Sequence, residues 1–178
     1  GEFTQEGIAR AVDVLSGHLK RARYFNCVRT DIFATAVLRN CTNSRKAIRA
    51  IEEAIGAPVN LLSARDEAHL SFTGASCDRT IEKGTVVDLG GGSTELIRVE
   101  EGRDFDDVSI GQGSLSSYAG YVEFVMPQAD EVEAIERAFL DQVAKTPVDL
   151  KKYRAETLYG VGGSARAAAK LYAQMTGE

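Results

Sequence analysis

Cysteine is scarce: 178 residues carry three, Cys27, Cys41 and Cys77. None has metal-ligand spacing, and an odd number does not close a disulfide framework, so reduced thiols in a cytoplasmic protein are expected. No apolar run approaches the ~20 residues of a membrane span, and no signal-peptide pattern appears, which argues against membrane insertion and secretion. On that footing the sequon Asn40-Cys41-Thr42 is a chance match. An excess of positive charge is missing too. The formal net charge of −5 argues against broad electrostatic binding to nucleic acid or to anionic lipid. A net acidic chain can still bind phosphate where backbone N–H groups and a metal do the local work. There is no internal repeat and no low-complexity stretch, and Tyr118, Tyr121 and Tyr153 form no evident stacking platform. The first residue is Gly1, not methionine, and a helix start follows at once; a piece of a longer protein is expected.

What the sequence does contain is an alternation of helix and strand patterns. Thr4 suits an N-cap, and Ile8, Val12, Leu15 and Leu19 line one helical face, with Lys20, Arg21 and Arg23 near the C-terminal end of the dipole. A strand is predicted over Phe25–Arg29. A second helix is predicted over Ser44–Ile55, with Ala47, Ile48, Ile51 and Ile55 on one face; Gly56 ends it and Pro58 blocks continuation. Further on, the pattern predicts strands at Pro58–Leu62, Thr85–Leu89, Thr94–Val99, Val108–Ile110 and Leu158–Val161. It predicts helices at Ala64–Phe72, Ser114–Val125, Asp130–Lys145 and Ser164–Met175. The class is α/β, with a boundary expected near Ser63, where a helix–strand unit gives way to a hairpin-led sheet.

Four features are candidates for chemistry. In Asp88-Leu89-Gly90-Gly91-Gly92-Ser93-Thr94-Glu95, apolar strands flank a glycine turn whose backbone can take positive φ and approach a ligand closely. Successive N–H groups there can converge on phosphate oxygens, and Ser93 and Thr94 add hydroxyls. Asp88, at the strand end, suits Mg²⁺, and Glu95 adds a second carboxylate. The plainer alternative is a glycine hairpin with solvated acids. In Gly160-Val161-Gly162-Gly163-Ser164 a strand runs into a helix N-terminus, an anion site in principle or merely a close-packed turn. Glu67, at a helix start, suits orienting a water, though acids are favourable there for the dipole alone. Arg39 suits a bidentate phosphate contact, against the plainer reading of a surface ion pair.

Taken together, the ordered motifs resemble the exopolyphosphatase / guanosine pentaphosphate phosphohydrolase family. Ala34-Thr35-Ala36-Val37-Leu38-Arg39 is similar to its Ala-Thr-x-x-x-Arg segment. Ser63-Ala64-Arg65-Asp66-Glu67-Ala68-His69 is similar to its Ser-Gly-x-Glu-Glu-Ala-Arg segment, with Ala64 in place of the Gly and His69 in place of the Arg. Asp88–Glu95 matches its Asp-x-Gly-Gly-Gly-Ser-Thr-Glu turn, and Ser109-Ile110-Gly111 and Gly160–Ser164 resemble two later segments. The resemblance implies actin-like (ribonuclease H-like) ATPase-type lobes, with a mixed sheet and flanking helices. Residues 1–63 would be the C-terminal part of lobe one and residues 64–178 lobe two, which carries the Gly-rich phosphate turns. It further implies hydrolysis of polyphosphate or a guanosine polyphosphate. Glu67 would be the general base and Glu95 a second essential carboxylate. Phosphate would be held by Gly90, Gly91, Gly92, Ser93, Thr94, Gly162, Gly163, Ser164 and Arg39, with Mg²⁺ (or Mn²⁺) at Asp88. The family's first phosphate turn, Asp-x-Gly-Ser-Asn, has no counterpart here, so the chain alone is expected to be inactive. Two other functions fit: an ATP-using kinase of the same superfamily, and a non-enzymatic guanosine polyphosphate sensor. The sequence fixes no oligomeric state, and a homodimer stays open.

Overall fold

The computed structural model describes residues 1–177. They divide into two compact units, Gly1–Ser63 and Ala64–Glu178.

The first unit is helical with a minimal sheet. Helix α1 (Gln5–Tyr24) begins where the Thr4 side chain accepts the Gly7 N–H at 3.0 Å. Strand β1 (Phe33–Ala34), the short helix α2 (Ala36–Arg39), helix α3 (Ser44–Ile55) and strand β2 (Asn60–Leu61) follow. In α3 the predicted apolar stripe is the buried one: Ala47, Ile48, Ile51 and Ile55 pack with Ile8, Ala34 and Val59. Each fully buried Ile or Val contributes about 1.5–3 kcal/mol. Gly56 ends α3 in the left-handed region at φ 66°, a conformation glycine adopts without strain. β1 and β2 pair in parallel, Phe33 with Asn60 and Ala34 with Leu61. Asn43 ties the N-terminal segment to α3: its Oδ1 accepts the Phe3 N–H at 2.8 Å and its Nδ2 donates to the Phe3 carbonyl at 2.9 Å.

The strand expected over Phe25–Arg29 does not form. The N–H groups of Phe25, Asn26 and Cys27 donate to Arg21, Arg23 and Ala22 carbonyls at the end of α1. Those amides finish a helix and are not available to a ladder, and Asn26 takes a positive φ of 52°.

The second unit is a four-stranded mixed sheet in the order β5-β4-β3-β6. Its members are helix α4 (Ala64–Ala75), strands β3 (Gly84–Leu89), β4 (Thr94–Glu100) and β5 (Arg103–Ile110), helices α5 (Ser114–Tyr121) and α6 (Ala129–Lys145), a 3-10 turn at Leu150–Tyr153, strand β6 (Leu158–Val161) and helix α7 (Gly162–Thr176). β3 and β4 are antiparallel neighbours and β3 and β6 parallel ones. Side chains alternate between the faces of a strand. One face therefore carries Val86, Asp88, Glu95, Ile97, Val99 and Ser109 along β3, β4 and β5. Helix α4 covers it, packing Ala68 and Phe72 on Val86, Ile97 and Val99. α7 packs against β3 and β6, so close that a Cβ on Gly160 would lie 3.1 Å from that of Ala165.

Several boundaries differ from the sequence pattern, among them those of β5, α5 and α7. β5 runs from Arg103 rather than from Val108; Asp104, Asp106 and Asp107 disguise it, because aspartate is poor in strands. Here side chains from elsewhere in the unit answer them: His69 Nδ1 lies 2.8 Å from Asp104, Lys152 3.6 Å from Asp106 and Arg65 3.9 Å from Asp107. α5 stops at Tyr121 instead of continuing to Val125. α7 begins at Gly162, two residues ahead of Ser164.

Candidate functional site

The glycine turn is the tip of the β3–β4 hairpin. The Gly90 N–H donates to the Ser93 carbonyl at 3.0 Å, leaving Gly91 and Gly92 as the bend. Neither Gly90 nor Gly91 lies in the left-handed region; glycine is required at the tip because other atoms come close. A Cβ on Gly91 would sit 3.0 Å from Leu115 Cδ1, and one on Gly113, across from the bend, 2.5 Å from the Gly90 carbonyl oxygen. That close approach lets the first turn of α5 bond to the hairpin. The Ser114 N–H and hydroxyl donate to the Gly90 carbonyl at 2.9 and 3.1 Å, and the Ser116 N–H donates to the Gly91 carbonyl at 2.9 Å. Two of the four unpaired N-terminal donors of α5 are thereby satisfied. In a trans peptide the C=O of one residue and the N–H of the next point in opposite directions. With the Gly90 and Gly91 carbonyls drawn toward α5, the N–H groups of Gly91 and Gly92 point away from it.

Three carboxylates gather beside this bend. Asp88 and Glu95 are direct cross-strand partners on the face under α4. Asp88 Oδ2 accepts a short hydrogen bond from the Ser71 hydroxyl of α4. Glu95 is buried, 1% exposed, and its Oε1 accepts the Ser109 hydroxyl at 2.8 Å. Burial pushes the Glu95 carboxyl above its usual range; hydroxyl hydrogen bonds from Ser93 and Ser109 oppose the rise, and the charges of Glu67 and Asp88 add to it. Glu67, in the first turn of α4, is thus within electrostatic reach of Glu95.

The second Gly-rich segment meets the same place. β6 runs parallel to β3 with Val161 opposite Asp88. Gly162 turns the chain into α7 at φ 95°, where a Cβ would lie 3.1 Å from the Leu89 carbonyl oxygen and 3.3 Å from Asp88 Oδ1. Only glycine suits that φ and that space together. Nothing lies within 4 Å of a Cβ on Gly163, so the first turn of α7 is open there.

The structure thus brings Asp88, Ser93, Glu95, Glu67 and Gly162 together around the Gly90–Gly92 bend. Thr94 is different: its hydroxyl is buried and donates to the Gln112 carbonyl at 2.8 Å. Arg39 belongs to the first unit, where Nη1 donates to the Leu62 carbonyl at 3.0 Å. Sequence reasoning assigned no role to Ser71, Ser109 or Ser114, the hydroxyls that hold Asp88, Glu95 and the bend. Ser71 was detectable, four residues after Glu67 on one helical face. Ser109 lies in the predicted strand and in the Ser109-Ile110-Gly111 resemblance, but its pairing with Glu95 follows only from the β4–β5 register.

Among the described residues no three or more His, Cys, Asp or Glu side chains are grouped as a metal site. Mg²⁺ needs fewer, often one or two carboxylates completed by water and phosphate oxygens. Asp88, a hard oxygen donor among like charges that disfavour one another, fits such an ion. Among the described residues no helix is long and apolar enough to cross a membrane.

Comparison with known proteins agrees with this architecture. The model of the Ppx/GppA phosphatase family matches residues 1–178. A Haemophilus influenzae protein provisionally named an exopolyphosphatase is 26% identical over 176 residues, covering 96% of this chain and 53% of its own length. The crystal structure of an exopolyphosphatase from Cytophaga hutchinsonii superposes with a TM-score of 0.80 at 21% identity, over 100% of this chain and 58% of that one. The Aquifex aeolicus Ppx/GppA family member gives a TM-score of 0.68 at 22% identity, over 97% and 55%. The fold is the actin-like ATPase type. The chain spans about half the length of the relatives it matches.

Proposed function

Because the chain belongs to the Ppx/GppA phosphatase family, we propose that the protein carrying it hydrolyses the terminal phosphoanhydride of inorganic polyphosphate by attack of water. The observation that carries this reading is the gathering of Asp88, Glu95 and Glu67 beside a hairpin tip whose Gly91 and Gly92 amides are turned away from α5. The reaction needs donors for the phosphoryl oxygens, a base for water and a neutraliser of phosphate charge. Catalysis of that kind is mostly positioning and electrostatics.

In this reading the amides of Gly91 and Gly92 and the Ser93 hydroxyl grip the terminal phosphoryl group. The first turn of α7, opened by Gly162, Gly163 and Ser164, faces a further phosphate with its N–H groups. Glu67 accepts the proton of the attacking water as its oxygen bonds to phosphorus. The bridging bond breaks, and the shortened chain leaves with the bridging oxygen. Glu95, whose ionised form burial disfavours, orients that water. Asp88 would hold Mg²⁺ (or Mn²⁺), which when bound would neutralise phosphate charge. Thr94 contributes through the backbone, since its hydroxyl is already engaged.

The test is phosphate release from polyphosphate, from guanosine pentaphosphate and from ATP with an acceptor. Polyphosphate should be the substrate consumed, and Glu67→Gln should lower the rate by roughly 10²–10⁴-fold while binding persists. Turnover unchanged by Glu67→Gln would remove that residue from its role. Transfer to an acceptor instead of to water would replace the hydrolase with a kinase.

A further inference from the structure

Away from the glycine bend, at the opposite end of β3, lies a cavity of about 480 Å³ lined by polar groups. That volume is within the roughly 300–1,000 Å³ usual for small-ligand sites. Its wall carries five cations, Lys83, Arg98, Lys151, Lys152 and Arg154, against two acids, Glu100 and Glu156. Such a concentration is unexpected in a chain of net charge −5. Arg98 is paired with Glu100, and Lys152 lies 3.6 Å from Asp106. Among the described residues, Lys83, Lys151 and Arg154 have no carboxylate partner.

The cations stand on a fixed base. The 3-10 turn that carries Lys151 and Lys152 is pinned to the sheet by the Thr85 hydroxyl, which donates to the Tyr153 carbonyl at 2.7 Å, and Asp149 caps it by accepting the Lys151 N–H at 3.1 Å. The Arg98 guanidinium carbon lies over the Phe105 ring, 5.1 Å from its centre. By strand alternation Thr85 and Arg98 belong to the face opposite Asp88 and Glu95. Five residue steps along β3, roughly 17 Å at 3.3 Å each, separate Gly84 from Leu89. One ligand phosphate cannot occupy both places.

We propose that this cavity is a second anion site, taking an oligophosphate: several linked phosphates in one ligand, whose adjacent negative charges match three unpaired cations at once. The inference needs no hydrolysis. It rests on the proposed function only in naming polyphosphate as a source of that ligand, a nucleoside polyphosphate being the other.

The experiment is calorimetric titration of the protein with inorganic tripolyphosphate, and separately with ATP, for wild type, for Glu67→Gln, and for the combined variant Lys83→Glu, Lys151→Glu, Arg154→Glu. These three side chains are exposed, so the variant should melt as the wild type does, which circular dichroism checks. Expected is a tripolyphosphate-binding event that survives Glu67→Gln, weakens with salt and loses about tenfold or more in affinity in the combined variant. Tighter binding of tripolyphosphate than of ATP assigns the site to free condensed phosphate, and the reverse order to a nucleotide; either supports the inference. Unchanged affinity in the folded combined variant overturns it. Phosphate release by the full-length protein intact with that result would leave the proposed function standing, whereas binding intact without phosphate release by the full-length protein would remove the function and keep the cavity.

Discussion

Asp88 and Glu95 face each other across the β3–β4 ladder, two acids side by side beneath one helix. Like charges directly opposite in a sheet destabilise it. The arrangement persists because each acid has its own hydroxyl donor, Ser71 for Asp88 and Ser109 for Glu95, and because burial favours the neutral form of Glu95.

Glu95→Gln should stabilise the fold at neutral pH. The Glu95 pKa is higher folded than unfolded, so its contribution is fully present below the unfolded carboxylate pKa and is lost as pH rises through the folded value. The variant does not ionise and keeps an oxygen for the Ser109 hydroxyl. Its melting temperature should exceed the wild type's at pH 7–8, by about 2–8 °C for each kcal/mol gained, and the two should converge in acid. Phosphate release should fall. A variant less stable than wild type at pH 8 contradicts this account.

Ser71→Ala removes the hydroxyl donor of Asp88. Hydrogen bonds to charged groups contribute about 1.5–3 kcal/mol, and a half-buried carboxylate points to the lower part of that range. Urea denaturation should show the loss as a lower midpoint at unchanged slope. An unmoved midpoint would mean that Asp88 finds another partner.

Gly113→Ala and Gly163→Ala should act in opposite directions. The first places a Cβ 2.5 Å from the Gly90 carbonyl oxygen, a backbone atom that must move, while the second meets nothing within 4 Å in the first turn of α7. Gly113→Ala should cost about 1–3 kcal/mol, and Gly163→Ala should add about 0.4–1 kcal/mol by restricting the unfolded chain. Equal stabilities in chemical denaturation would contradict the backbone contact between bend and helix.

Tyr153 should titrate late. Burial first, then the charges of Asp106 and Asp107 and a hydrogen bond to Asp106, push its phenol up to about 12, with Arg98 opposing. The stability this supplies is complete below the unfolded tyrosine value and disappears as pH rises through about 12. An ultraviolet absorbance titration should show one late phase, absent in Tyr153→Phe.

Local rules made some elements legible and hid others. The isoleucine spacing in α3 and the glycine hairpin between two apolar strands are periodic signals that a single sequence carries. Phe25–Arg29 reads as a strand because Phe25 and Val28 suit one, yet the end of α1 claims the amides of Phe25, Asn26 and Cys27. β5 was readable only over its last residues, since the side chains that pair with its aspartates come from α4 and the 3-10 turn, across long sequence separations. At the site, the residue types at Asp88, Glu95 and Glu67 were visible in the motif. The reason for the glycines was not: the sequence suggests positive φ at the bend, whereas Gly90 and Gly91 are needed for closeness, and the helix that approaches them lies more than twenty residues downstream.

The anchoring of the hairpin tip to α5 bears on how an anion is received. Rotating either pinned peptide would sacrifice hydrogen bonds of about 1 kcal/mol each and strand a helix donor. The bend is therefore shaped before any ligand arrives, and capture requires no ordering of a floppy loop. Mutations in the first turn of α5 should accordingly alter affinity at a bend whose own residues are untouched.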